Sequence, residues 1–443
     1  MKPRRERGKF GKLGRVLACI VLFTTLAFVS LGTASAATIY VPDDYSKIQY
    51  AVNNASDGDT IIVRDGMYYE NIVVNKSVVI KSENGTKNCI VNGSGGGYTP
   101  VFRVKVDNVG IIGFTVERDG TYSGIHQDYY VNNTLVRDNI IRKVEYGITL
   151  HQTSGSNVLN NTIENAAKTS MYIYRSKDTR ICNNRMLSPS TTPNYHIYMF
   201  MSENITIANN TASSASFYGI YLGDSDNNTL TKNNASDNYC GIYLSSSSNN
   251  TLTNNTANSN SHNGICISYS DNNTGYKNTA DSNMYTGILL GPYSCYNNFY
   301  NNNVYSNYYG ITIRTISNYN EVHKNTITNN KIGIDVRGYT DHFCRYNNIH
   351  DNLLDSNYYG GIEIAGGSNN KIYNNTLHAN QGCGIRLECH ATDSSVYNNT
   401  ISSSDYGIKV SQANNSDIYN NTLLNNSRWD IHIYQNSFNN TFT

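Results

Sequence analysis

CGIYLSSSSNNTLTNNT, residues 240–256, decides how this chain is read. Taken alone it is serine, asparagine and threonine around a few apolar residues, the composition of a disordered tract. Its register says otherwise. A Gly-Ile-x-aliphatic signature returns as YGITL, YGIYL, NGICI, TGILL, YGITI, IGIDV, CGIRL and YGIKV. The first aliphatic position occurs fourteen times between Ile125 and Ile431; ten of the thirteen intervals are 23 residues, the others 26, 22 and 28. A disordered segment has no reason to keep such a period, whereas a repeat architecture must.

Each unit holds three short apolar clusters: the Ile-x-Leu pair (Ile242, Leu244), a second about ten residues on (Leu252), and a third about fifteen on (Ala257; elsewhere Ile163 or Leu377). All are bounded by Asn, Ser, Thr or Gly, so each reads as a brief strand between turns. Three such strands make one rung of an all-β, single-stranded parallel β-helix, a solenoid of ~23-residue coils, right-handed by the crossover rule. Asparagine pairs such as Asn160-Asn161 and Asn254-Asn255 mark the turns, because Asn tolerates left-handed backbone. Stacked every rung, their amides are expected to bond to one another as an asparagine ladder.

Residues 37–100 read as a cap and irregular first coils, and 101–443 as regular repeats. Ile48, Ala51, Val52 and Ala55 have helical spacing, with Asp43, Asp44 or Ser46 as N-cap, and predict a short helix covering the first rung. No comparable cap follows the last rung, which leaves it open to a partner or to end-to-end self-association.

Residues 1–36 read as a signal peptide: seven Lys/Arg, an apolar run from Val16 to Val29, and Ala34-Ser35-Ala36 before cleavage. Removing that leader takes seven of 34 basic and one of 33 acidic residues, leaving a net charge of −5. That balance points away from nucleic acid, and no later apolar run is long enough to span a bilayer. The chain is therefore expected to be secreted or held at the cell surface. Eight cysteines follow the leader, Cys383 and Cys389 nearest each other, in spacings that match no disulfide framework. About twenty Asn-x-Ser/Thr sequons arise from the turn motif; an acceptor tied into a ladder is closed to glycan, an exposed one is open.

The Gly-Ile/Asn-Asn units resemble the right-handed β-helix repeats of the pectin-lyase-like superfamily. The opening VPDDYSKIQYAVNNASDGDTIIVRDGMYYENIVVNKSVVI is similar to NosD-like proteins, common among archaeal surface and secreted proteins. The resemblance covers roughly residues 38–443. It implies the solenoid, an exported location and, in the superfamily's enzymes, a cleft beside one sheet. The lysine or arginine base and short signatures of its lyases and hydrolases are not recognisable here. NosD resemblance also raises copper handling, for which His196, Met199 and Met201 come into view; Met199 falls on an inward position, and no metal site is assigned.

If Ile-x-Leu faces inward, the residue between them faces outward in a column stacked rung on rung. That column contains Tyr172, Tyr198, Tyr221 and Tyr243 without interruption. The row suits an extended polysaccharide or envelope glycan through ring faces and hydroxyls, or is an aromatic ladder that steadies its strands. Further along, Asp335 and Glu363 occupy adjacent rungs, about 5 Å apart, the separation of a retaining glycosidase pair. Arg314 and Arg337 in the next outward column would bind an acidic sugar or neutralise the pair. His126, Asp128 and His151 form a smaller cluster toward the N-terminal end, readable as surface residues or as acid, base or metal ligands. Both long rungs are expected to place their additions just ahead of the Gly-Ile strand, walling a groove along these columns. The leading expectation is a non-catalytic surface β-helix that binds polysaccharide or builds the envelope. The alternatives are a polysaccharide lyase, epimerase or glycoside hydrolase using Asp335, Glu363, Arg314 and Arg337, and third a copper-handling protein. The cofactor is left unknown.

Overall fold

The computed structural model describes residues 36–93, 99–118, 122–188, 190, 192–338 and 342–443. The expected signal peptide therefore lies outside the described residues, except for Ala36. From Ala36 to Thr443 the chain forms one compact unit, a right-handed parallel β-helix in which each repeat contributes one rung.

The Gly-Ile strands build a first sheet of sixteen strands, from Ile72–Val74 to Trp429–Tyr434. A second sheet of eighteen strands runs from Thr38–Val41 to Thr441–Phe442. The third side is two seven-stranded sheets, Gly66–Tyr69 to Thr211–Ala212 and Thr279–Asp281 to Thr422–Leu424. Between them the strand shrinks to single bridges through Asn234 and Thr256. The inward residues there are Ala235 and Ala257.

Register follows the period. Ile242 pairs with Ile265 and Ile265 with Ile288, all in parallel, and all three are fully buried. Equal offsets along the sequence thus become neighbours in space, and the hydrophobic effect fixes which face points in.

The two asparagines of each pair divide the work. Asn160, Asn209 and Asn254 take left-handed φ of 55°, 54° and 54° and turn the chain. Their successors Asn161, Asn210 and Asn255 are buried. The Asn255 amide donates to Leu230 O at 2.9 Å and to Asn278 Oδ1 at 3.0 Å, and the Asn255 N–H donates to the same Oδ1 at 2.9 Å. Such amide-to-amide bonds run unbroken from Asn139 to Asn421. They satisfy backbone groups that the tight turns would otherwise bury without partners.

The helix Ile48–Asn54 buries Ile48, Ala51 and Val52 over the first rung. Its N-cap is Lys47, not Asp43, Asp44 or Ser46, and Lys47 makes no side-chain cap bond. Glu70 caps it from the next rung instead, accepting from Ile48 N at 2.9 Å and Gln49 N at 3.0 Å. At the other end the inward Ile431 and Ile433 are 38% and 50% exposed, against 0% for Ile408 one rung before.

One expected insertion lies elsewhere. The first addition does precede its Gly-Ile strand: Met186 to Ile197 spans eleven residues where Ile163 to Met171 spans eight. In the second long rung Ile334 to Ile349 spans fifteen residues where Ile311 to Val322 spans eleven. Four of the extra residues thus fall after the first-sheet strand, between Arg337 and Cys344. Intervals between isoleucines report the size of a rung and not which of its three turns has grown. The first addition precedes its first-sheet strand and the second follows its own, so the two do not fall in the same turn.

Candidate functional site

The outward face of the first sheet divides into an aromatic half and a charged half. In the aromatic half Tyr172, Tyr198, Tyr221 and Tyr243 pair in register. Ring centroids lie 5.3, 5.1 and 5.7 Å apart with interplanar angles of 5°, 13° and 38°. In the near-parallel pairs each ring face is largely taken by the next ring. What remains outward is a row of edges and hydroxyls. Burial pushes the phenols of Tyr198 and Tyr243 up to about 12, so they stay protonated and able to donate at neutral pH.

A second aromatic column, which the sequence reading missed, lies beside the first. Tyr195 and Tyr218 stack at 5.6 Å, and Tyr218 stacks on Tyr243 at 5.0 Å and 11°. The recurring Tyr of YGI was its signal. Aromatic stacking alone does not mark a site, however. On the second sheet a single column from Tyr276 through His323 and His350 to Tyr419 stacks at 4.6–5.2 Å.

In the charged half Thr312, Asp335, Glu363 and Arg386 follow one another in register, with Arg314 paired to Arg337 in the next column. Asp335 is 0% exposed. The Arg337 Nη2 bridges the carboxylates, donating to Asp335 Oδ1 at 3.1 Å and Glu363 Oε1 at 2.7 Å. Arg314 lies 3.7 Å from Asp335 Oδ2, and Arg386 lies 3.6 Å from Glu363 and 3.8 Å from Glu388. Burial raises Asp335 while Arg337 and Arg314 pull it back. Glu363 is pushed up to about 7, first by burial, then by its hydrogen bond to Glu388 and the charges of Glu388 and Asp335. Glu388 was not anticipated, because Ala365 separates it from Arg337 in its column. A substrate arriving here would meet arginines and Glu363 before Asp335.

Toward the N-terminal end, His126 Nδ1 bonds Thr149 Oγ1 at 2.6 Å and His126 Nε2 lies 3.3 Å from Asp128. Burial and the neighbouring His151 lower His126 to about 4. Burial also lowers His151.

The exposed sequon acceptors Asn160, Asn209, Asn254, Asn374, Asn398 and Asn420 are the left-handed members of their pairs. The buried members head no sequon there, because two residues on comes an inward apolar side chain, as with Asn161 and Ile163. Cys383 and Cys389 are not bonded to each other. No helix among the described residues is long and apolar enough to cross a membrane.

A family profile described as "Periplasmic copper-binding protein (NosD)" matches residues 52–193 and 188–343. This chain belongs to the NosD family. A second profile, "Right handed beta helix region", matches residues 342–443 of this NosD-family chain. A cell surface glycoprotein of Methanothermus fervidus is 32% identical over 137 residues, 30% of this chain and 18% of that protein. The chain thus spans under a fifth of that relative's length. Among solved structures, the pre-mature bacteriophage phi29 gene product 12 is 10% identical with a TM-score of 0.50, covering 90% of this chain and 72% of that one. The periplasmic alginate epimerase AlgG is 12% identical with a TM-score of 0.30, covering 92% and 83%.

In this NosD-family chain His196, Met199 and His126 do not fit copper. His196 spends its ring nitrogens on Ser170 Oγ and Ser213 O, and Met199 is fully buried in the core. Both nitrogens of His126 are engaged as well. Among the described residues no three of His, Cys, Asp or Glu converge as ligands. Soft-metal sites need such convergence of free imidazole or thiolate donors.

Proposed function

We propose that this protein is an exported, non-catalytic component of the cell surface that holds envelope polysaccharide along the aromatic half of its first sheet. The observation that carries this reading is the row Tyr172–Tyr198–Tyr221–Tyr243 with Tyr195 and Tyr218 beside it. Half-buried phenols that stay protonated offer apolar edges and a line of hydroxyl donors, a combination suited to sugars. Membership of a periplasmic family and the surface-glycoprotein relative support the location. The experiment is a pull-down of residues 36–443 on envelope polysaccharide, with assays for reducing ends and unsaturated uronate. Retention without turnover, lost in Tyr198→Ala/Tyr221→Ala, is the expected result. No retention on any envelope glycan overturns it.

A second reading is favoured by one observation, the carboxyl of Glu363 held near neutrality beside Asp335 and three arginines. Such a group is poised for general acid or base work on an acidic polysaccharide by a lyase, epimerase or hydrolase. Turnover abolished by Glu363→Gln would establish it.

A further inference from the structure

The aromatic row does not simply fade at its N-terminal end. It runs into a shallow pocket of about 250 Å³ lined by Tyr122, Ser123, His126, Tyr146, Thr149 and His151, with Tyr172 shared between pocket and row. Three rungs of the first sheet place these side chains, because Ser123 pairs with Tyr146, His126 with Thr149, and Thr149 with Tyr172. We propose that this pocket takes one neutral pyranose ring, the terminal unit of the glycan whose following units lie along Tyr198, Tyr221 and Tyr243. The assignment rests on the polysaccharide reading above and adds to it an end, a ring size and a charge.

Size comes first. Pockets that enclose drug-sized ligands measure about 300–1,000 Å³, so this one suits a single ring. Its lining alternates apolar and polar: phenol rings of Tyr122, Tyr146 and Tyr172, imidazoles of His126 and His151, and the hydroxyls of Ser123 and Thr149. The hydroxyls form a chain, with His126 Nδ1 2.6 Å from Thr149 Oγ1 and Thr149 Oγ1 donating to Ser123 Oγ at 3.5 Å. The His151 imidazole packs against His126 and Tyr172 at 5.2 and 5.5 Å, which holds its ring in the lining.

Neutrality follows from the charges around it. Burial keeps His126 and His151 in the uncharged form at neutral pH. Asp128 is ion-paired with Arg103 at 2.9 Å as well as facing His126. Lys168, over the Tyr146 ring, is ion-paired with Glu145. A uronate would bring a carboxylate to a place where each nearby cation already has its anion, and an uncompensated charge is costly there.

The test uses residues 36–443 and saturation-transfer NMR with methyl α- and β-glucopyranoside, galactopyranoside and mannopyranoside, against glucuronate and galacturonate. At least one neutral pyranoside is expected to give transfer that falls fivefold or more in Thr149→Val and in His151→Leu. The same signal should persist in Tyr300→Ala, on the second sheet, and the uronates should give none. Circular dichroism of each variant shows whether it has folded. Equal or stronger transfer to uronates, or signals unchanged in both folded pocket variants, overturns the proposal. If no pyranoside binds while polysaccharide is retained through the Tyr row, the terminal-ring assignment falls and the surface reading stands. If pyranosides bind in the pocket but polysaccharide is not retained, the single-ring site stands and the extended-chain reading falls.

Discussion

The two halves of the first sheet show one backbone rule with opposite chemical outcomes. Both put identical offsets on neighbouring rungs, so whatever residue type repeats must live with its own kind about 4.8 Å away. In the Tyr172–Tyr243 half that proximity is favourable, and the rings from Tyr172 to Tyr221 stack almost parallel. In the Asp335–Glu363 half it is not, and the chain answers by placing Arg314, Arg337 and Arg386 around the carboxyls. A solenoid therefore makes aromatic rows at little cost and acidic rows only with compensation. The second sheet carries an uninterrupted aromatic row of its own, from Tyr276 to Tyr419. Its flanking column and pocket are what distinguish the first-sheet row.

The largest expected effect lies in the charged half. Arg337→Ala removes the group that bridges Asp335 and Glu363. Leaving one side of a buried pair unmatched should cost about 3 kcal/mol. The measurement is hydrogen exchange, which should show lost protection in Ile332–Arg337 and Gly360–Ala365, with the aromatic rungs unchanged. A loss spread evenly over all rungs would break the distinction between the halves.

Next comes pH. Glu363 titrates near 7 in the fold against an ordinary value of 4.5. The folded state therefore holds a proton that the unfolded chain has released between those values. The stabilisation is complete below about pH 4.5 and disappears as pH rises through 7. The melting temperature of the charged half should thus fall from pH 5 to pH 8, and Glu363→Gln should flatten that slope. Tyr198→Phe, in the aromatic half, should leave it as it is.

These predictions rest on features of unequal legibility in the sequence. Register, core and the Tyr and Asp/Glu columns were readable because Ile125 to Ile431 keep a near-constant interval, and a parallel solenoid turns interval into contact. Glu388 was not readable, since Ala365 interrupts its column and nothing local links it to Glu363. The Glu70 cap was hidden for a similar reason, being supplied from about twenty residues away while local N-cap rules look only at the helix's own approach. The second insertion escaped because all three turns of a rung add to the same total. That ring faces would be consumed by stacking was implicit in the 4.8 Å repeat, but only the ring planes show it.

A smaller effect is expected in the aromatic half. Tyr221→Ala removes stacking on Tyr198 and Tyr243 and should cost about 1 kcal/mol, read by chemical denaturation.

Hydroxyl-radical footprinting of residues 36–443, with and without bound envelope polysaccharide, tests the central claim most directly. The tyrosines themselves are the reporters, and Tyr300, Tyr397 and Tyr419 on the second sheet are internal controls. Reduced oxidation of Tyr172, Tyr198, Tyr221 and Tyr243 is expected while the controls stay unchanged. Protection of the second-sheet row instead, or equal protection of both, would contradict it.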